Sequence, residues 1–327
     1  MSQTILVTGA AGFIGGHVCG ALLGAGFEVR GVDNFDPFYD RRIKESAVAE
    51  LDRRGGFTLV EADIRDAGAM ARAVKGCDLA VHLAARAGVR PSIQDPGLYA
   101  SINVEGTVRV LEACRQAGVR RFVFGSSSSV YGDTTPVPFR EDAPAVDPVS
   151  PYAATKRAGE LMCDVYTGLH GLRIAALRFV TVYGPRQRPD LAIHKFTRLM
   201  AQGRPIEQFG DGSSERDYTH IDDIVQGVLG AVRWTRSGEQ AYEVFNLGES
   251  RTVRLDSLVE LIGRAFGVTP AIELRPPQPG DVRRTCADIT KARRLLGYAP
   301  KVSIETGIPQ FVEWYEGAYG REFRSAP

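Results

Sequence analysis

The sequence predicts an α/β protein: a doubly wound parallel sheet followed by a smaller C-terminal α/β domain. Three observations carry this reading. Short β-branched apolar runs alternate with helical patterns over residues 1–180, a glycine-rich turn directly follows the first run, and near residue 180 the rhythm breaks into loops rich in Pro, Gly and Arg. In order, the apolar runs are TILVTG, FEVRGVD, FTLVEAD, LAVHLAA, RFVFGS and RIAALRF. Few polar residues interrupt them, as expected of strands buried on both faces in a parallel sheet. Helical patterns lie between them at 14–23, 102–117 and 151–169. Strand and helix in alternation imply right-handed crossovers and hence a doubly wound sheet. Beyond 180, the loop YGPRQRPD precedes a helix near 194–202, and a second loop, FGDGSSERDYTH, leads into a helix at 221–233. A strand at 242–246, a helix at 255–266 and the Pro-rich segment LRPPQPGD follow.

Composition narrows the function classes. Forty basic residues against thirty-nine acidic ones give no global attraction to nucleic acid or to a membrane surface. Most of the basic residues are Arg, which suits planar oxyanions. Cysteines at 19, 77, 114, 163 and 286 form no CxxC pair and are odd in number, so reduced thiols in the cytoplasm are expected. The five histidines are scattered, and no metal site is expected. The start, MSQTILVTGAAGFIGGHV, lacks a basic region before its apolar stretch and reads as the opening of a fold, not a signal peptide. No run of about 18 apolar residues is present, so no membrane span is expected.

The glycine turn is Gly9-Ala-Ala-Gly12-Phe13-Ile14-Gly15, between the first strand and the first helix. Glycines there allow a tight turn and let backbone N–H groups approach a pyrophosphate at the positive helix end. The second strand ends in Asp33-Asn34, about twenty residues on, where a carboxylate accepts ribose hydroxyls and repels a 2′-phosphate. The cofactor indicated is NAD rather than NADP. Asp63 and Ile64 end the third strand, and Leu83, Ala84 and Ala85 the fourth, where the rest of a dinucleotide would pass; Asn103 joins this set. The chain thus divides into an NAD-binding Rossmann domain at 1–180, completed by a segment near 215–240, and a mainly substrate-binding domain at 181–327.

Tyr152 and Lys156 open the helix after Pro151, one turn apart on one side. A free phenol ionises near pH 10, so a nearby ammonium and a cationic nicotinamide would be needed to favour phenolate. The fifth strand ends in Gly125-Ser126-Ser127-Ser128-Ser129-Val130-Tyr131-Gly132, placing hydroxyls where open α/β sheets bind ligands.

Together these motifs resemble the extended short-chain dehydrogenase/reductase family over essentially the whole chain, and within it the nucleotide-sugar 4-epimerases. The resemblance implies that Tyr152 takes the proton of the sugar 4-OH, that Ser127 holds or relays it, and that Lys156 tunes the phenol and grips the nicotinamide ribose. The 4-ketose then turns over and takes its hydride back on the other face. Related dehydratases carry an Asp-Glu pair where Ser128 and Ser129 stand, and related decarboxylases carry Glu at the second position; lacking both acids, this chain points to simple epimerisation.

Four segments resemble the UDP-glucuronate 4-epimerase branch: DNFDPFYD at 33–40, HLAARAGVR at 82–90, YGPRQRPD at 183–190 and PQPGD at 277–281. A uronate needs a cation for its carboxylate, and Arg86 and Arg188 are the candidates, with Arg186 not separable from Arg188 by sequence. That branch usually has Gln where Arg86 stands. Arg216, Asp281 and Arg284 resemble the family's grip on a uridine diphosphate, with Thr181, Lys195 and Gln208 further candidates for the uridine pocket. The helices at 102–117 and 151–169 resemble those of the family's homodimer interface. Competing expectations are a UDP-glucose or UDP-N-acetylglucosamine 4-epimerase, a decarboxylase or net oxidoreductase on the same scaffold, and a non-catalytic nucleotide sensor.

Overall fold

The computed structural model describes residues 3–238, 241–276 and 283–320. Strands β1 (Thr4–Thr8), β2 (Glu28–Asp33), β3 (Phe57–Glu61), β4 (Leu79–His82), β5 (Arg121–Ser127) and β6 (Arg173–Phe179) lie in one sheet. Three short strands come next in the chain: β7 (Thr181–Tyr183), β8 (Ile206–Phe209) and β9 (Glu215–His220). The seventh member of the large sheet is β10 (Ala241–Leu247), which pairs with β6. The order is β10-β6-β5-β4-β1-β2-β3, parallel throughout. Strand order reverses between β1 and β4, so the carboxyl ends of those strands frame a crevice.

Both faces of the sheet are buried, as the uninterrupted apolar runs require. Ile5, Val7, Val81 and Leu177 enter one apolar layer with Val18 and Leu22 of the helix Phe13–Gly24. Leu6, Ala80, Phe122 and Ala176 enter the other with Met70, Val110 and Leu111. Each large side chain so buried contributes about 1.5–3 kcal/mol.

The helix carrying Tyr152 and Lys156 has well-marked ends. Ser150 caps it by accepting from Ala153 N at 3.1 Å, Pro151 starts it, and Gly171 ends it with φ +67°. Its bounds are Pro151–His170. The expected helix at 102–117 is instead a π-helical turn, Ser101–Glu105, running into the helix Gly106–Gln116. At that turn the Asn103 side chain bonds the backbone of Arg86 and the Thr155 hydroxyl, a tertiary demand that local pattern does not reveal.

The second part of the chain holds more structure than its loops suggested. FGDGSSERDYTH, expected as a loop, contains β9, which pairs with β7 and with β11 (Thr252–Arg254). Its polar composition hid it, because Asp217 is turned inward to accept four hydrogen bonds, from Glu249 N, Ser250 N, Ala287 N and the Thr219 hydroxyl. Strand β8 pairs with β12 (Ile272–Arg275), and helices Ala192–Ala201, Leu255–Phe266 and Ile304–Tyr319 share a separate core. The chain then returns: the helix Ile221–Arg236 packs under β5 and β6 and feeds β10 into the large sheet.

Candidate active site

A cavity of about 480 Å³ opens at the carboxyl ends of the large sheet and runs from the glycine turn to the start of the helix Pro151–His170. Gly9, Gly12, Phe13, Ile14 and Gly15 line one end. Gly9 has φ +73°, and a Cβ on Gly15 would lie 1.9 Å from the Gly9 carbonyl oxygen, so helix and turn meet at a distance that excludes any side chain. The helix Phe13–Gly24 has no side-chain cap at Gly12. Helix geometry leaves its first N–H groups without intrahelical partners, and Phe13, Ile14 and Gly15 of that first turn line the cavity. That cradle fits a pyrophosphate.

Asp33 lines the same wall, buried to 8 % exposure. It accepts from Ala11 N at 3.1 Å and Phe35 N at 2.9 Å, which fixes its carboxylate at the turn. Lys44, also buried, lies 3.4 Å from it and was not foreseen. Arg30, its neighbour in sequence, turns away to the carbonyls of Ala73 and Lys75. Asn34, Asp63, Ile64, Leu83, Ala84 and Ala85 all line the cavity. Asn34 donates to Asp63 at 3.1 Å, and Asp63 is held well below the usual carboxylate range, at about 2, by Arg65. At the end of β4, buried His82 bridges the Thr8 and Thr107 hydroxyls at 2.7 and 3.0 Å. Asn103 does not line the cavity; it acts one layer back, on Arg86 and Thr155.

At the far end the structure brings Ser127, Tyr152 and Lys156 together. Burial pushes the Tyr152 phenol above its ordinary value, while a hydrogen bond with Ser127 and the charge of Arg188 pull it down. Arg188 is thus a cation acting on the phenol that the helical spacing did not indicate. Lys156 Nζ donates to the Gly125 carbonyl at 2.7 Å and lies 5.2 Å from the Phe124 ring. Burial pulls its ammonium down to about 8, against the charge of Glu160. Ser129 lines the cavity and sits 3.1 Å from the Ser127 hydroxyl, whereas Ser128 faces elsewhere.

The three candidate arginines part company. Arg188 lines the cavity, paired with Asp190 through Nε at 3.0 Å and Nη2 at 2.7 Å. Arg186, two residues earlier, has φ +64° and points out to Glu50 at 3.0 Å. Arg86 lines the cavity but is ion-paired with Asp36. Phe38 stands between Arg86 and Arg188, its ring 4.4 and 5.2 Å from the two guanidinium carbons.

Of the uridine candidates, Thr181 lines this cavity; Lys195, Gln208, Arg216 and Arg284 lie outside it. Lys195 is 3.8 Å from Glu207, Arg284 is 2.9 Å from Glu215, and Arg216 donates to the carbonyls of Glu215 and Arg283. Gln208 is buried, with Oε1 unpartnered among the described residues. Asp281 lies outside the described residues. Sequence reasoning missed Lys44, Phe38, Tyr39 and Asp190, all lining the cavity. A signal for Lys44 existed: it sits on the buried stripe Lys44, Ala47, Val48, Leu51 of the helix Arg41–Asp52. A charge on such a stripe needs a reason.

Several known proteins are similar to this chain over nearly its whole length. UDP-glucuronate 4-epimerase 2 of Arabidopsis thaliana is 42% identical over 332 residues, covering 97% of this chain and 76% of that protein. UDP-glucuronate 4-epimerase of Thermodesulfobacterium geofontis is 39% identical, covering 94% and 95%. The crystal structure of UDP-glucuronic acid 4-epimerase from Bacillus cereus with UDP-glucuronic acid and NAD superposes with a TM-score of 0.91 at 35% identity, over 97% of this chain and all of that one. Residues 5–248 match the model of the NAD dependent epimerase/dehydratase family, and the chain belongs to that family.

Proposed function

We propose that this chain interconverts UDP-glucuronate and UDP-galacturonate by oxidation and re-reduction at C4, with NAD retained throughout. The observation that carries the reading is the placement of Arg188 in one cavity with Tyr152, close enough for its charge to act on the phenol. In a hexuronate the carboxylate hangs from C5, next to C4. A cation that reads it must therefore sit beside the base that takes the C4 hydroxyl proton.

Bound NAD supplies the hydride acceptor for C4 and the donor for its return. Tyr152 takes the C4 hydroxyl proton as the C4–H bond breaks, and Ser127, bonded to the phenol, steadies the phenolate. Once the ketose has turned over, Tyr152 gives the proton back to the C4 oxygen. The 4-keto uronate is a β-keto acid prone to losing CO₂. Arg188 meets that hazard by fixing the carboxylate; Asp190 occupies its Nε and Nη2 edge and leaves Nη1 for the substrate. Neither Ser128 nor Ser129 offers an acid for elimination or decarboxylation.

The glycine cradle and Asp33 support a division in which the large sheet with its return segment takes NAD and the remainder mainly takes the sugar nucleotide. The helix Pro151–His170 leaves Leu161, Val165 and Leu169 exposed at 50, 49 and 73 %, one turn apart on one side. That apolar stripe supports a homodimer, which sedimentation equilibrium would test. All five cysteines are free, in keeping with a cytoplasmic site, and no described helix is long and apolar enough to cross a membrane.

The function is tested by incubating the protein separately with UDP-glucuronate, UDP-glucose and UDP-N-acetylglucosamine, separating products by chromatography and trapping CO₂. The expected result is UDP-galacturonate without CO₂. Turnover of UDP-glucose alone would remove the role of Arg188, and release of CO₂ would make the chain a decarboxylase.

A further inference from the structure

Directly behind the reacting groups lies a charged cluster that the proposed mechanism does not use. On the helix Pro151–His170, Tyr152, Lys156 and Glu160 follow one another at intervals of four, so all three share one side. Glu160 is fully buried. Its Oε1 accepts from the Ser126 hydroxyl at 2.6 Å and from Arg178 Nε at 2.8 Å. Its Oε2 accepts from Arg178 Nη2 at 2.8 Å and from Arg157 Nη1 at 2.9 Å. Arg178, 2 % exposed, stands opposite Ser126 in the β5–β6 register and lies over the Tyr131 ring at 4.6 Å.

We propose that Glu160 is a positioning residue for the reaction, gripping the end of β5 through Ser126 and serving as the counter-charge of the Lys156 ammonium. The proposal deepens the epimerase reading and rests on it for its effect on turnover. Ser126 is the residue before Ser127, so the carboxylate that holds one hydroxyl fixes the backbone that presents the next. Its charge reaches the lysine as well. The groups that act on Lys156 are Glu160 and Cys163 on its own helix, with His82 facing it from β4. Those facing Glu160 are Arg157 and Cys163 on its helix, Ser126 on β5, Arg178 on β6 and Tyr242 on β10.

Beside this buried ammonium, with a histidine that burial keeps neutral, the Glu160 carboxylate opposes the loss of charge, while Arg157 and Arg178 bind that carboxylate. Burial already brings Lys156 down to about 8, so removing Glu160 lowers it further and favours loss of its charge. A carboxylate with a purely structural role would stabilise the helix–sheet contact and leave the titration of Lys156 unchanged.

The test is a ¹³C NMR titration of the full chain labelled at lysine Cε, with Lys156 assigned by the signal missing from Lys156→Met. In the unaltered chain Lys156 should titrate near pH 8. In Glu160→Gln it should titrate lower by roughly one pH unit or more, and in Glu160→Asp close to the unaltered chain. The alkaline limb of the pH profile for UDP-glucuronate turnover should move in the same order. Unchanged titration in folded Glu160→Gln overturns the counter-charge. Ser126→Ala isolates the grip: kcat should fall about 10- to 100-fold with the Lys156 titration unmoved, and unaltered kcat overturns that half. Should Glu160→Gln not fold, Glu160→Asp and Ser126→Ala carry the test, because the first keeps the charge and shortens the reach. A chain whose Lys156 shifts as expected but that leaves UDP-glucuronate unchanged would remove the epimerase reading and leave the pairing of Glu160 with Lys156 standing.

Discussion

The two ends of the cavity are built in opposite ways. The cofactor end is local: Gly9, Gly12 and Gly15 form one turn, and Asp33 anchors to Ala11 N within that turn. The sugar end is assembled from distant chain: Ser127 from β5, Tyr152 from a capped helix, and Arg188 from the loop beyond β7. In the first, backbone shape forms the cradle, with the Asp33 carboxylate fixed beside it. In the second, side-chain charge does the work, and each group depends on a neighbour that holds it. Substitutions should therefore act differently at the two ends, by expelling the cofactor at one and by slowing chemistry at the other.

The largest effect belongs to the sugar end. Tyr152→Phe removes the proton acceptor and should lower kcat about 10³-fold, with NAD content unchanged; stopped-assay product analysis with NAD quantified after denaturation checks both. Next, Arg188→Met should lower kcat/KM for UDP-glucuronate about 10²-fold, the equivalent of roughly 2–3 kcal/mol of charge-assisted hydrogen bonding, with less effect on UDP-glucose. The same change removes a charge that pulls the Tyr152 phenol down. The phenol then titrates higher, so the acid limb of the pH profile should move to higher pH.

A smaller and different effect is expected at the cofactor end. Gly15→Ala places a methyl 1.9 Å from the Gly9 carbonyl oxygen and should destabilise the fold by about 1–3 kcal/mol while depleting NAD, read by thermal unfolding and cofactor content. Smallest is Arg186→Met, which removes an ion pair at the surface side and should change stability by less than about 1 kcal/mol and turnover not at all. Were Arg186→Met to act like Arg188→Met, the separation of the two arginines would fail.

What was legible in the sequence follows the same division. The glycine turn, the strand segments of the first half and the Tyr152/Lys156 pair could be read because each is a local pattern. The helix Leu255–Phe266 had its expected bounds for the same reason. Strand β9 was missed because pairing with β7 and β11, not its own composition, makes it a strand. Arg186 and Arg188 looked alike because a positive φ at residue 186, invisible in the sequence, turns them to different sides. Lys44 and Glu160 were overlooked although both sit on buried helical stripes, where a charge among apolar positions marks a partner across the fold.

The proposed epimerisation requires one hydride to leave C4 and return to it without escaping the site. UDP-glucuronate deuterated at C4, converted in ordinary water and analysed by mass spectrometry and proton NMR, tests it most directly. The expected product is UDP-galacturonate that keeps its deuterium at C4. Product carrying hydrogen there, with the label in solvent or in released NADH, would contradict it.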